Sequence, residues 1–558
     1  MTNMVDGLGT TKYTYSPAGQ LLSEDGPFAS DIVTNGYSNR MRTSLGLQQP
    51  AGFWTNGFTY DSTRRLTDVT SPAGAFGYLY DPTLFTHHAS RIALPNTSYI
   101  TNVYDADARL TATSLIKSDN ITVFDSYTYV YNPANQRTNL TRADSSTVAY
   151  KYDNIGQLKV ADSSVNTEDR GYTYDSAWNL NYRTNNGVLT TFTVDNKNQL
   201  TNVSGLAQSQ SYDSNGNLIV GYVAGRQSWI YSYDDENRLI QVVNTNTFSG
   251  GNSARKFVYD GLGRLRKRLD YTLPGWTLNF EMHYIYDGWR VIQERDINNR
   301  PDISYTRGND LSGSMEGAGG IGGLLARSGG NNSGSWTNHH YYFADGNGNI
   351  TCMLGQNSMQ TIAATYRYDP FGNTISSVGA LASDNVYRFS SKEIVTNGMY
   401  FYGSRFYDPN LQRWINRDPS MDLAGLDLPQ SALRSPDKLD YEPNSYEFVI
   451  NQPVNLVDTD GRDWWPPSKW PGRGKPKPKP TPKKPKPPTA KCPPGATPDC
   501  KQIIADFNRK SAACAIEGDP YDAAVSVCQC TCAGLPEEAL ATTRCAKTLT
   551  DQYRKACE

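Results

Sequence analysis

The chain has 558 residues, of which 38% are hydrophobic, and a formal net charge of -2 at pH 7. That near-neutral balance provides no overall basic field to recruit nucleic acid, and no apolar run approaches the length needed to span a bilayer. Thirty-seven tyrosines, set among abundant Asn, Ser, Thr and Gly, suit a thin-walled β-sheet better than a deep core.

Residues 1–10 lack a basic stretch followed by an apolar one, so no secretory signal is visible. Asp6-Gly-Leu-Gly9 resembles the turn of a repeat unit whose first strand is missing. It predicts the trailing part of a longer array, or of an assembly with an upstream repeat-bearing partner; a misplaced start codon would look the same. From Tyr13 to Tyr368 one phrase recurs, as Tyr150-Lys-Tyr-Asp-Asn-Ile-Gly-Gln-Leu158, Tyr172-Thr-Tyr-Asp-Ser-Ala-Trp-Asn-Leu180, Tyr231-Ser-Tyr-Asp-Asp-Glu-Asn-Arg-Leu239 and Tyr366-Arg-Tyr-Asp-Pro-Phe-Gly-Asn373. Degenerate copies follow Phe58, Val103, Phe257 and Tyr284. A period of about 20 to 27 residues means an array of stacked units rather than a compact enzyme core.

Each unit reads as strand, turn, strand. Tyrosines two apart share one face of a strand. Asp153 and its equivalents end that strand, where an Asp side chain can bond backbone N–H groups two residues on, and Gly156 or Asn237 then supplies positive φ. Leu158, Leu180 and Leu239 open the return strand. Hairpins stacked this way cover each other's edges.

After Ser304 the sequence changes character. Tyr305-Thr-Arg-Gly-Asn-Asp-Leu-Ser-Gly, Gly317-Ala-Gly-Gly-Ile-Gly-Gly-Leu-Leu-Ala326, His340-Tyr-Tyr-Phe-Ala-Asp345-Gly-Asn-Gly-Asn349, Tyr402-Gly-Ser-Arg-Phe-Tyr-Asp-Pro409 and Arg413-Trp-Ile-Asn-Arg-Asp-Pro419 follow in order. Together they closely resemble the core region of RHS/YD-repeat proteins, a group that includes bacterial polymorphic toxins, the C component of insecticidal Tc toxins and the teneurin shell. The likeness spans residues 5–461. It implies an all-β fold, a spiralling β-hairpin shell that is large and hollow and, in toxin members, encloses the chain's own variable C-terminal segment. The expected domains are YD/RHS repeats at 1–300, the repeat-associated core at 301–461, a Pro/Lys-rich linker at 462–491 and a Cys-rich helical module at 492–558.

In self-cleaving members of that family, two Asp-centred motifs near the end of the core act as an aspartyl protease that cuts just after the second. Two nearby carboxylates can share a proton, one acting as base toward water while the other donates, and a neighbouring Arg favours the ionised partner. By resemblance, Arg417 and Asp418 begin the first motif, Asp458 belongs to the second with Asp460 as a nearby substitute, and the scissile bond is Arg462–Asp463. The sequence departs from the pattern at Met421, Thr459 and Arg462, and by an insertion containing Leu428-Pro-Gln-Ser-Ala-Leu-Arg-Ser-Pro-Asp437. Two readings stay open, self-cleavage and a pair of aspartates that cap turns.

Gly317-Ala-Gly-Gly-Ile-Gly322 satisfies a dinucleotide-binding pattern but lacks the strand-to-helix context that such a site needs, which makes it a loop. The histidines, His87, His88, His283, His339 and His340, show no metal-ligand spacing with a carboxylate, and Cys352 reads as a small buried residue. No metal or cofactor is expected.

Pro and Lys dominate 466–488 and predict a solvated polyproline II spacer. Eight of the nine cysteines crowd the end of the chain: Cys492, Cys500, Cys514, Cys528, Cys530, Cys532, Cys545 and Cys557. They read as a disulfide framework of unknown pairing, formed in an oxidising environment and stapling two short helices near 499–516 and 536–557. No histidine follows Arg462, which disfavours Cys-His and Ser-His hydrolases there. The leading reading is a secreted or surface shell protein that carries or presents its C-terminal segment, with an upstream YD-repeat chain or an immunity protein as partner. The alternative is a noncatalytic adhesion protein that binds a glycan or cell-surface ligand through its repeats.

Overall fold

The computed structural model describes residues 1–83, 87–206, 209–223, 227–244, 252–419, 444–462 and 464–465. The eight clustered cysteines, the expected helices, the Pro/Lys-rich run and Asp463 lie outside the described residues. Within them the all-β expectation holds. Nineteen strands, from Asn3–Asp6 to Leu200–Val203, form one sheet, and fourteen, from Ser211–Tyr212 to Thr374–Val378, form a second. Consecutive strands pair antiparallel, as Thr147–Tyr152 does with Leu158–Ser163. The gap between the sheets is bridged, because the Gln210 N–H donates to Thr201 O (2.9 Å) and the Leu200 N–H donates to the Tyr212 hydroxyl (3.1 Å). The ladder also runs from Arg290–Arg295 into Pro301–Arg307, so repeats and core share one wall. Asn3–Asp6 supplies a short strand before the first turn, correcting the expectation that this unit lacks one.

The repeat's physical reading holds in detail. Asp153 Oδ1 accepts the N–H groups of Ile155 (3.0 Å) and Gln157 (2.8 Å), and Gly156 has φ +96°. The same carboxylate cap recurs at Asp61, Asp105, Asp175, Asp234, Asp260 and Asp369. Where no glycine is available, another residue takes the left-handed position, as Trp178 does with φ +65°. A register shift between Lys151 and Tyr152 marks the end of each such strand.

The two tyrosines of a unit do different work. Tyr172 is buried against Phe371, while Tyr174 reaches the preceding unit and donates to Leu158 O at 2.9 Å. The second tyrosine repeats this bond along the wall: Tyr80 to Leu66 O, Tyr131 to Leu110 O, Tyr233 to Leu218 O, Tyr259 to Leu239 O, Tyr286 to Leu265 O and Tyr368 to Ile350 O, all at 2.7–2.9 Å. The acceptor is always five residues beyond the preceding unit's capping residue. At Arg65, Arg109, Arg238 and Arg264, each four residues after a capping Asp, the guanidinium ion-pairs back and stacks on the next unit's second tyrosine, as Arg65 does with Asp61 (2.8 Å) and Tyr80 (4.5 Å to the ring).

The second sheet returns past the first in the same order. Arg264 pairs with Glu24 (2.5 Å), Arg42 grips Asp287 with two bonds (2.9 and 2.8 Å), the Gly346 N–H donates to the Tyr129 hydroxyl (2.7 Å), and Arg367 pairs with Glu168 (2.8 Å). One hydrophobic cluster accordingly joins Trp54, Phe76 and Leu158 of the first sheet to Phe343, Leu354 and Phe371 of the second.

Tyr174→Phe should lower unfolding free energy by about 1 kcal/mol, and Asp175→Ala, which strands the N–H groups of Ala177 and Asn179, by about 1–3 kcal/mol. Chemical denaturation measures both; an undiminished stability in Asp175→Ala would show that the cap is dispensable.

Candidate functional site

The phrases that follow the second sheet fold into a four-stranded sheet of Glu393–Thr396, Met399–Phe401, Phe406–Asp408 and Arg413–Trp414. Residues 444–462 then come back across it. The Trp414 N–H donates to Tyr446 O (2.9 Å), the Asp418 N–H donates to Ser445 O (3.1 Å), and the Tyr446 hydroxyl donates to Gly216 O (2.8 Å). Phe448 anchors the segment, stacking on Tyr407 at 3.9 Å and meeting Trp414 and Tyr402 edge-on. Such aromatic packing contributes beyond its buried area. The last strand pair joins Val457–Asp458 to Trp464–Trp465, with Asp458 opposite Trp464. The chain therefore makes a hairpin between Val457–Asp458 and Trp464–Trp465.

Arg405 organises this corner. Its guanidinium pairs with Asp418 Oδ2 at 2.9 Å, donates to Ser445 O (3.2 Å) and to Gly461 O, and lies over Trp414 at 4.2 Å. Asp418 and Arg405 are each only 3% exposed, so this is a buried, hydrogen-bonded pair. Asp458 is 4% exposed, and its Oδ1 accepts the N–H groups of Asp460 (3.1 Å) and Gly461 (2.6 Å). Burial, reinforced by the nearby Asp460 charge, pushes the Asp458 carboxyl up to about 7, against the opposing pull of Arg405. The hairpin turn is held from outside as well. Lys392 Nζ donates to Thr459 O (2.7 Å), Ser404 donates through its hydroxyl to Asp460 O (2.7 Å), and Arg462 pairs with Asp460 Oδ2 at 2.8 Å. Burial lowers the Lys392 ammonium to about 8.

The structure thus brings Asp418, Asp458, Asp460 and Arg462 to one corner. Arg417 takes a different direction and packs on the turn at Gly216, whose added Cβ would meet its Cδ at 2.7 Å. Arg405 is paired with Asp418. Sequence reading missed it and Lys392, although Arg405 sits inside the quoted phrase Tyr402-Gly-Ser-Arg-Phe-Tyr-Asp-Pro409.

The glycine-rich run is a loop, as expected, and it does cradle an anion: Asp310 Oδ2 accepts the N–H groups of Ala318 (2.7 Å) and Gly320 (3.0 Å). This nest is filled by the protein's own carboxylate. It sets Gly319, at φ +60°, so close to Thr459 that a Cβ there would lie 2.1 Å from Thr459 O. Cys352 is fully buried, and burial pushes its thiol up. No metal-binding cluster occurs among the described residues, and no helix among them is long and apolar enough to cross a membrane.

Because the Asp458 carboxyl titrates higher folded than unfolded, its contribution favours the folded state at low pH. That contribution is lost as pH rises from about 4 through about 7. Thermal unfolding of Asp458→Asn should therefore show a shallower decline over this range than the parent chain; an identical slope would contradict the assignment.

No family model matches the chain. Among curated proteins, it is 26% identical over 343 residues to the tRNA3(Ser)-specific nuclease WapA of Bacillus spizizenii, covering 60% of this chain and 12% of the relative. It is 22% identical over 500 residues to the toxin subunit YenC1 of Yersinia entomophaga, covering 80% of this chain and 42% of the relative. The crystal structure of TcdB2-TccC3 superposes with a TM-score of 0.53 at 18% identity, over 82% of this chain and 27% of that one. The chain therefore spans well under half the length of these relatives. Repeats, fold and relatives agree with the resemblance to RHS/YD-repeat proteins carried by the sequence: the chain is built of long antiparallel β-hairpin sheets like those of TcdB2-TccC3.

Proposed function

We propose that the chain is a toxin-type carrier whose repeat wall encloses its own C-terminal segment, delivered outside the producing cell, and that it releases that segment by cutting the Arg462–Asp463 bond. The observation that carries this reading is the hairpin that ends the described chain: it returns residues 464–465 alongside Asp458, in the same corner as Asp418 and Arg405. Similarity to a nuclease and to toxin subunits supports a toxin context; the activities those names state belong to those proteins. In this scheme Asp418, paired with Arg405, takes a proton from water as the water oxygen bonds the Arg462 carbonyl carbon. Asp458, protonated by its burial, gives its proton to the departing Asp463 nitrogen, leaving a carboxylate on Arg462 and a free amine on Asp463. Arg405 and Lys392 hold the turn while the bond breaks. The expected domains follow the same division, with repeats at 1–300, core at 301–461, spacer at 462–491 and cargo at 492–558. An upstream repeat-bearing chain and an immunity protein are its proposed partners.

A second reading has one observation in its favour. Asp458 accepts two backbone N–H groups of its own turn, as the Asp of every repeat does, which is the behaviour of a structural cap. Under that reading the chain is a noncatalytic adhesion protein.

Intact mass spectrometry of the expressed chain separates the two. The carrier reading predicts two fragments meeting at Arg462–Asp463, and only full-length protein from Asp418→Asn, Asp458→Asn and Arg405→Met. Uncut parent chain, or cutting that survives in all three variants, would favour the adhesive reading.

A further inference from the structure

A cavity of about 260 Å³ opens beside the hairpin turn, between the Arg290–Arg295 strand and the four-stranded sheet. Its lining mixes charged side chains with aromatic rings. Arg290, Arg307 and Lys392 contribute cations, Glu316, Glu393 and Asp460 contribute carboxylates, and Trp289, Tyr387 and Tyr402 contribute rings. Most of its charged groups are already matched. Arg290 pairs with Asp287 at 2.5 Å, Arg264 with Asp260 and Glu24, and Arg462 with Asp460.

Arg307 differs. It is 7% exposed, its Nε donates to Val291 O (2.9 Å), and its guanidinium lies over the Tyr387 ring at 5.2 Å. Among the described residues no carboxylate lies within ion-pair distance of it, and neither terminal nitrogen meets a hydrogen-bond acceptor. Burying a cation without a counter-charge is costly. Lys392, nearby, bonds only backbone carbonyls, those of Thr459 and Gly319. The wall therefore keeps two cationic side chains, one with a free planar fork, facing a cavity that holds more than a single ion and carries rings for an uncharged body.

We propose that this cavity binds a compact oxyanion ester, a phosphate or sulfate group borne on a small sugar-like or planar body, with Arg307 as the anchoring fork and Lys392 as the second cation. Guanidinium suits such oxyanions because its parallel N–H groups match two oxygens at once. The aromatic rings cover the body of the ligand, as they do in other pockets where a few polar groups fix orientation. The ligand is bound and not transformed, although the site shares Lys392 with the hairpin turn.

Isothermal titration of the full chain tests it with inorganic phosphate, glucose 6-phosphate, glucose 6-sulfate and glucose as probes. Saturable binding of the two esters is expected, with phosphate weaker and glucose silent. The ratio between the esters tells which oxyanion the fork prefers. Arg307→Gln should weaken ester binding by at least about tenfold. Trp289→Ala, at a position already 48% exposed, keeps the question open to measurement should the arginine variant misfold, and should narrow the gap between ester and inorganic phosphate. Absence of saturable ester binding by the parent chain, binding of glucose as tight as its esters, or full affinity in a folded Arg307→Gln protein would overturn the proposal.

Discussion

The hydroxyl of one tyrosine per repeat, donating to the carbonyl five residues past the previous repeat's cap, is the bond on which this architecture depends. Each β-hairpin alone is marginal in water. Strand pairing joins neighbours through the backbone, and the tyrosine adds a second tie at the turn end, where the register shift has interrupted the ladder. The donor is half-buried in most repeats, so breaking the bond leaves polar groups with restricted access to replacement water. That cost makes the spacing between units a property of the whole wall rather than of any one hairpin.

A wall made this way has to deal with its own end. Residues 444–462 do so by packing Phe448 into the Tyr402, Tyr407 and Trp414 cluster, and by sending Tyr446 and Asn451 to the turns at Gly216 and Trp178. The repeats and the returning segment thereby hold one another. Arg405 is the electrostatic counterpart of this packing, because one guanidinium reaches Asp418, Ser445 and Gly461 together. Placing an ionised pair and a high-titrating carboxyl in so small and dry a corner is expensive. The corner is thus the place in the described chain where chemistry is best motivated.

Much of the fold was legible in the sequence because its physics is local. Tyrosines at a spacing of two, an Asp at the strand end and a Gly or Asn three residues on specify strand and turn without reference to the rest of the chain. The tyrosine-to-carbonyl tie was not legible, since both members of a pair look like ordinary strand residues until two units are stacked. The return of the second sheet past the first was equally hidden: nothing at Arg42 announces Asp287. For the site, the aspartates were found through family resemblance, while Arg405 was passed over for Arg417, the arginine adjacent to Asp418 in sequence. Arg405 reaches Asp418 only through the sheet from Glu393–Thr396 to Arg413–Trp414, a long-range contact that no local spacing announces.

The reading proposed for this chain is that the wall surrounds the C-terminal segment. Limited trypsin digestion under native conditions, followed by mass mapping, tests it most directly. Enclosure predicts that Arg473, Lys501 and Lys510 stay uncut until denaturant opens the wall, and then become accessible together with it. Rapid native cutting at those residues, with the wall left intact, would contradict the account.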